Sequence, residues 1–198
     1  MADNVEAMKK SKEAIQGIDN VTFFRMLKHE KEMDAQLIPH QTSQDFTLSR
    51  DSDTTTTKDG TISTTGGLET ELETEFVDAI SRASDEMQTA VLNAEEVELW
   101  RVNVRRRNAE GKCFGWYMRG TVSEDGSSND ADDASTRDVT FSITGKPKRG
   151  WVTLPESIKE EIDYGFRGLA AITDEDNTGD GVAYTDDEAG AGTLTANE

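Results

Sequence analysis

Two histidines and one cysteine are the only imidazole and thiol groups in these 198 residues: His29, His40 and Cys113. A Cys113–His40 pair could serve nucleophilic chemistry, but no local signature supports it, and a lone thiol of this kind is more often a small core residue. Gly145–Gly150 reads GKPKRG and lacks the Gly-x4-Gly-Lys-Ser/Thr phosphate loop. There is no Gly-x-Ser-x-Gly elbow and no His-Glu-x-x-His. Asp174, Asp176, Thr178, Gly179 and Asp180 resemble the opening of a calcium loop, yet Thr185 stands in the twelfth place, where a bidentate Glu is needed. No catalytic residue, cofactor site or metal site is assigned, and the chain is read as a non-enzyme.

The chemistry that does stand out is charge. Leu68, Thr70, Leu72, Thr74 and Phe76 alternate with Glu69, Glu71, Glu73 and Glu75. A period of two places each set on one face of a strand, so four carboxylates form a row. Like charges at that spacing repel, and the row should see water or a basic partner. Two basic clusters oppose it: Arg105, Arg106 and Arg107, which with Asn108–Gly111 make a basic hairpin tip, and Lys146, Lys148 and Arg149 in a turn from Gly145 to Gly150. In so acidic a chain, the nearest partner for these bases is another copy of the chain. Ion pairs of this kind contribute orientation and specificity more than affinity.

The elements that must position these groups are mostly strands. Threonine, at 23 residues, favours them. Strands are expected from Val21 toward Leu27, across Leu37–Leu48, at Leu68–Phe76, at Val97–Val104, at Cys113–Val122, at Val139–Ile143 and at Trp151–Leu154. A phase shift near Leu99-Trp100 suggests a bulge or two buried faces. Residues 49–67 hold one large aliphatic residue, Ile62, and an Asp59-Gly60 turn signal. That makes a long Thr-rich hairpin with no core of its own. One amphipathic helix is expected over 84–95, capped by Ser84, with Met87, Ala90, Val91 and Ala94 on one side. A short helix is expected over 155–164, and residues 123–138 read as an acidic loop. Residues 1–16 read as a polar arm. From Thr173 onward there are eight acids and no bases, so residues 170–198 read as a flexible acidic tail.

Composition bounds the rest. The chain has a mass of 21.8 kDa and a net charge of −19, from 40 acids against 21 bases. Its longest uninterrupted apolar run is Leu169–Ile172, so no transmembrane helix and no membrane partner are expected. The start lacks a secretory h-region, and one cysteine excludes an intrachain disulfide; both fit a soluble protein made in a reducing compartment. The charge argues against general nucleic-acid binding, whose affinity comes from Lys and Arg.

Five stretches together resemble a known family: GIDNVTFFRML (Gly17–Leu27), QTSQDFTLSRDSDTTTTKDGTISTTGGLET (Gln41–Thr70), VELWRV, YMRGTVSE and FSITGKPKRGWVTLP. The Lys-Asp-Gly turn followed by Gly-Gly-Leu is the most specific part. The pattern, from about residue 17 to 169, is similar to the major tail proteins that build the tail tube of long-tailed, non-contractile siphophages, especially those of Gram-positive hosts.

The resemblance implies a mainly β fold, sandwich- or barrel-like, with one flanking helix and a protruding hairpin. It implies hexameric rings stacked into a hollow tube around a tape-measure protein, with tail terminator and distal tail proteins as further partners. It implies location in the virion after assembly in the host cytoplasm. The hairpin would bridge rings, which makes Arg50, Asp51, Asp53, Lys58, Asp59, Gly60, Gly66 and Gly67 its candidate residues. Arg105–Arg107, Lys146, Lys148 and Arg149 become candidate inter-subunit bases. A subunit with a radius of gyration of roughly 16 Å cannot enclose a duplex alone, so a ring is required. An acidic wall would let phage DNA pass without specific binding, and Glu69, Glu71, Glu73 and Glu75 are the candidate lumen residues. Two other readings compete. One is an acidic sandwich that binds carbohydrate through Trp100, Trp116 and Trp151. The other is a tail terminator or connector that forms a single ring.

Overall fold

Alternation of apolar and polar residues generates the strands of this chain, and the computed structural model shows how they pair. It describes residues 14–162, 164–173, 176, 178–185, 187 and 191; most of the expected N-terminal arm and much of the acidic tail lie outside these residues. The strands are β1 (Asn20–Met26), β2 (Gln36–Leu37), β3 (Gln41–Thr57), β4 (Gly60–Val77), β5 (Glu96–Arg107), β6 (Cys113–Ser128), β7 (Thr136–Ile143) and β8 (Lys148–Val152). Helix α1 spans Arg82–Asn93 and helix α2 spans Glu156–Ile162. The chain divides into two compact units, Met1–Thr153 and Leu154–Glu198. All eight strands belong to the first.

Every pairing is antiparallel, in the order β2-β1-β5-β6-β7-β4-β3. Strand β8 also pairs with β6, using Cys113–Tyr117, while β7 uses Gly120–Ser128. The two ends of this path meet. The Gln41 side chain accepts a hydrogen bond from the Thr22 amide at 2.8 Å and donates to the carbonyls of Thr22 and Ile38. That stitch joins β3 to β1 and gives the sheet its barrel-like closure. The fold is mainly β with one flanking helix, as expected.

The core lies between the concave face of the sheet and α1. Phe24, Leu72, Phe76, Leu99, Val139 and Phe141 are fully buried, as are Met87 and Ala90 of the helix. Helix α1 begins two residues before the expected 84–95 span. Ser81, not Ser84, is its cap, and the Ser81 hydroxyl accepts from the Ser84 amide at 3.1 Å. Ser84 instead donates its own hydroxyl to Asp78. The helix ends at Ala94, which adopts φ 50° and so leaves the helix face it was expected to share.

Three further expectations are corrected, and one open alternative is decided. The strand expected over Leu37–Leu48 is two strands, separated where His40 turns with φ 51°. Of the two causes expected for the phase shift near Leu99-Trp100, the structure shows the second: β1 and β6 pair across it without a bulge, and β5 has two buried faces. The acidic loop expected over 123–138 shrinks to 129–135, because β6 runs to Ser128 and β7 starts at Thr136. The Arg105–Arg107 run is the end of β5 rather than a loop tip, and Lys148-Arg149 opens β8 rather than lying in a turn.

Candidate functional site

The carboxylate row is built by β4. Its inward residues Leu72, Thr74 and Phe76 are fully buried, which turns Glu69, Glu71, Glu73 and Glu75 to the opposite face. Neighbouring strands extend the row. Asp45 of β3 stands opposite Glu73, Asp138 of β7 opposite Glu75, and Thr47, Ser49, Thr140 and Ser142 fill the other cross-strand places. The negative charge of Asp138, followed by burial and a hydrogen bond to Asp138, raises the Glu73 carboxyl above its ordinary value. Among the described residues none of the four glutamates has an ion-pair partner. The face is therefore carboxylate and hydroxyl only, without a cation.

Beyond Glu69, β3 and β4 leave the sheet as a two-stranded ribbon in which every residue from 47 to 67 is exposed. All eight hairpin candidates lie in it. A register shift sets Asp51 against Gly66 and Gly67. Glycine suits this bulge, since a Cβ at Gly66 would come within 3.2 Å of the Asp51 carbonyl, and Arg50 donates to the Gly66 carbonyl at 2.9 Å. The tip residues are Lys58 and Asp59 rather than the expected Asp59-Gly60. Gly60 is instead the first residue of β4, at φ 143°. An isolated ribbon of this kind is marginal in water.

The six basic candidates do not act as one patch. Arg105 is 80% exposed and reaches Asp19 at 3.3 Å. Arg107 donates to the Val104 carbonyl, and Lys146 stays exposed in the turn before β8. Arg106 and Arg149 come together with Arg101, a residue the sequence reading passed over. The three guanidinium carbons lie 3.9, 5.2 and 5.6 Å from the ring centroids of Phe114, Trp116 and Phe46, respectively for Arg106, Arg149 and Arg101. Such stacking holds a cation flat against an apolar base. The three arginines line a groove of about 220 Å³. Burial lowers the pKa of Arg101, which donates to Gln44 at 2.7 Å and, as an arginine, stays charged. Among the described residues none of the three has a carboxylate partner. The signal for Arg101 was its parity: it follows Leu99 by two and so shares the concave face.

The remaining candidates separate. Trp100 packs on Tyr117, its cross-strand partner, whereas Trp116 pairs across with Arg101. Trp100 and Trp116 thus face opposite sides of the sheet, and the three tryptophans do not form one sugar platform. Cys113 is buried and donates to the Val104 carbonyl at 3.5 Å. Asp176 accepts from Thr178 and Asp180, and these bonds lower its pKa. Its carboxylate is occupied in its own turn, while Asp174 lies outside the described residues. Among the described residues no acid, His or Cys cluster fits a metal, and no helix is long and apolar enough to cross a membrane.

Comparison with known proteins agrees with this architecture. The family model described as phage tail tube protein matches residues 14–149. No curated protein matches the chain. Among solved structures, the SPP1 tail tube is similar with a TM-score of 0.62 at 17% identity, covering 83% of this chain and 94% of that one. The tail of an empty gene transfer agent particle, refined with C6 symmetry, gives 0.55 at 8% identity, covering 68% and 98%. A chain of the anti-feeding prophage baseplate gives 0.51 at 10% identity, covering 72% and 99%. With the family model spanning more than half of the sequence, the chain belongs to the phage tail tube protein family, the self-assembling structural proteins of the virion tail.

Proposed function

We propose that this chain polymerises as stacked rings, six-fold like the gene transfer agent tail, into the conduit through which the genome leaves the particle. The observation that carries the reading is the unneutralised face of Glu69, Glu71, Glu73 and Glu75, extended by Asp45 and Asp138. A sheet face with that much uncompensated charge is unfavourable in itself. It becomes useful where a polyanion must slide. Duplex DNA carries one charge per about 1.7 Å, so basic walls would hold it through counterion release. Acidic walls repel it from all sides and keep it off the surface. On this reading the four glutamates line the lumen and the β3–β4 ribbon bridges successive rings, where neighbouring subunits supply the contacts it lacks in its own.

The same reading gives the tube a tape-measure protein inside during assembly, a terminator at one end and distal tail proteins at the other. It assigns the chain no catalysis. Negative-stain electron microscopy of the purified chain tests it. Regular hollow tubes are expected. Monodisperse monomers at high concentration would overturn the proposal, and single rings that never stack would move the chain to a terminator or connector role. In phage carrying Glu69, Glu71, Glu73 and Glu75 all changed to Lys, rings should persist while DNA ejection is impaired; unaltered ejection would remove the lumen assignment.

A further inference from the structure

We propose that the groove lined by Arg101, Arg106 and Arg149 receives the β3–β4 ribbon of a second copy of this chain. The proposal rests on the ring-to-ring role given to the ribbon above and names the surface it docks on. The ribbon's two faces differ. Pairing of Asp53 with Thr64 and of Thr55 with Ile62 puts Asp53 and Ile62 on one face, and Asp51 precedes Asp53 by two. The other face carries Leu48 and Arg50 at the ribbon's base and, beyond them, only Ser52, Thr54, Thr56, Thr61, Ser63 and Thr65. One face thus presents carboxylates beside a 58%-exposed isoleucine, and the other presents hydroxyls.

The groove has the complementary pattern. Its three guanidinium groups lie on aromatic rings and lack carboxylate partners among the described residues. Beside them Trp151 packs edge-on against Phe114 and remains 46% exposed. Arginines for Asp51 and Asp53, and an apolar surface for Ile62, match the ribbon's charged face in kind. The occupant must come from another copy, because in its own subunit the ribbon is exposed along its whole length. Reach is sufficient: eight residues from Arg50 to Thr57 extend about 27 Å at strand rise. The flat glutamate row cannot enter a groove, whereas a ribbon can.

The test is polymerisation of the full chain, followed by pelleting and electron microscopy. The ribbon variant Asp51→Lys/Asp53→Lys and the groove variant Arg106→Glu/Arg149→Glu should each raise the concentration needed for tubes by about tenfold or more. Combining all four changes in one chain should bring it back to within about threefold of the parent, since a true pair is non-additive. A second readout does not depend on these charge variants. Tubes assembled from a mixture of Ile62→Cys and Trp151→Cys chains should yield a disulfide-linked dimer under mild oxidation, because such a bond needs close, well-directed Cβ atoms. Tubes formed at the parental concentration by either double variant would overturn the pairing. So would a four-fold variant no better than its parents, or mixed-cysteine tubes without cross-link. Parental protein that forms no tubes at all would instead remove the assembly reading on which the pairing rests.

Discussion

Replacing Arg137 by Met should destabilise this protein more than any surface change, and the structure supplies the magnitude. The Arg137 side chain is 1% exposed. Its Nε donates to Asp125 Oδ1 at 3.0 Å, Nη2 pairs with the other Asp125 oxygen, and Nη1 donates to the Ser84 carbonyl at 3.2 Å. The guanidinium also stacks on Phe76, 5.3 Å from the ring centroid. It therefore fastens the first turn of α1 to the far ends of β6 and β7. Asp78 lies 3.5 Å away but is one-third exposed, so its share is small. Met keeps much of the stem's volume and removes the charge, leaving Asp125 buried at 8% exposure without its cation. Breaking a buried pair from one side costs about 3–5 kcal/mol. For a unit of roughly 150 residues that lowers Tm by about 6–20 °C. Removing the second charge as well, in Arg137→Met/Asp125→Leu, should recover most of the loss, because an apolar pair often replaces a buried ion pair at little cost. Thermal unfolding of the full chain at one fixed protein concentration measures both variants, since assembly makes Tm concentration-dependent. A fall of less than about 2 °C for the single variant would refute the reasoning, as would a double variant less stable than the single one.

Three other changes should be legible in the same melts or in urea titrations. A Cβ at Gly120 would fall 2.1 Å from the Ser142 carbonyl oxygen, so Gly120→Ala must part β6 from β7 and should cost about 3 kcal/mol or more. Ala94 terminates α1 at φ 50°, with Glu95 donating back to Ala90 at 3.0 Å, a cap that favours glycine. Ala94→Gly should add up to about 1 kcal/mol, read as a shift of the urea midpoint without a change in slope. Asp138 raises the pKa of Glu73 in the folded state, so the folded chain holds that proton more tightly than the unfolded one. Stability contributed by this group is then lost as pH rises through the raised value. Glu73→Gln should be more stable than the parent at pH 7, and the difference should close below the ordinary carboxyl value of 4.5; urea midpoints at the two pH values decide it.

What the sequence made legible was the part governed by local period. The Leu68–Phe76 alternation has one buried and one solvated face, so its register and its carboxylate row follow from counting by twos. The ribbon could be foreseen because nineteen residues with one large aliphatic cannot form a core. Where tertiary contacts decide, the period fails. Residues 123–128 are polar yet continue β6, because Asp125 is neutralised by Arg137 from the next strand. The phase of β5 is lost because both of its faces are covered. Ser81 and Ser84 are equivalent as candidate caps until the packing of α1 buries Ser84 against Arg137. The arginine groove was half visible. Arg106 and Arg149 stood out as basic runs, whereas Arg101 was hidden inside an apolar strand, and only the pairing of β5, β6 and β8 sets it across Trp116 from Arg149.

The distribution of charge across the sheet bears on how the chain can associate. Strand alternation places Glu69–Glu75 on the face opposite Leu72 and Phe76, whereas Arg101 shares the face of Leu99 and sits across Trp116 from Arg149. The unpaired acids and the unpaired arginines thus occupy opposite faces of one sheet, and no rotamer change within a subunit can join them. A two-fold dimer sets a surface patch against its own copy, which would place carboxylates on carboxylates or guanidinium groups on guanidinium groups. A head-to-tail contact brings unlike surfaces together and leaves the pair with one donor and one acceptor surface still free, on different subunits. Such contacts propagate, closing into rings where the rotation permits and continuing as a filament along the other direction. On the pairing proposed above, the ribbon would supply the projecting acidic surface and the arginine groove the receiving one, and the glutamate face, without a cation among the described residues, would be left for the proposed lumen.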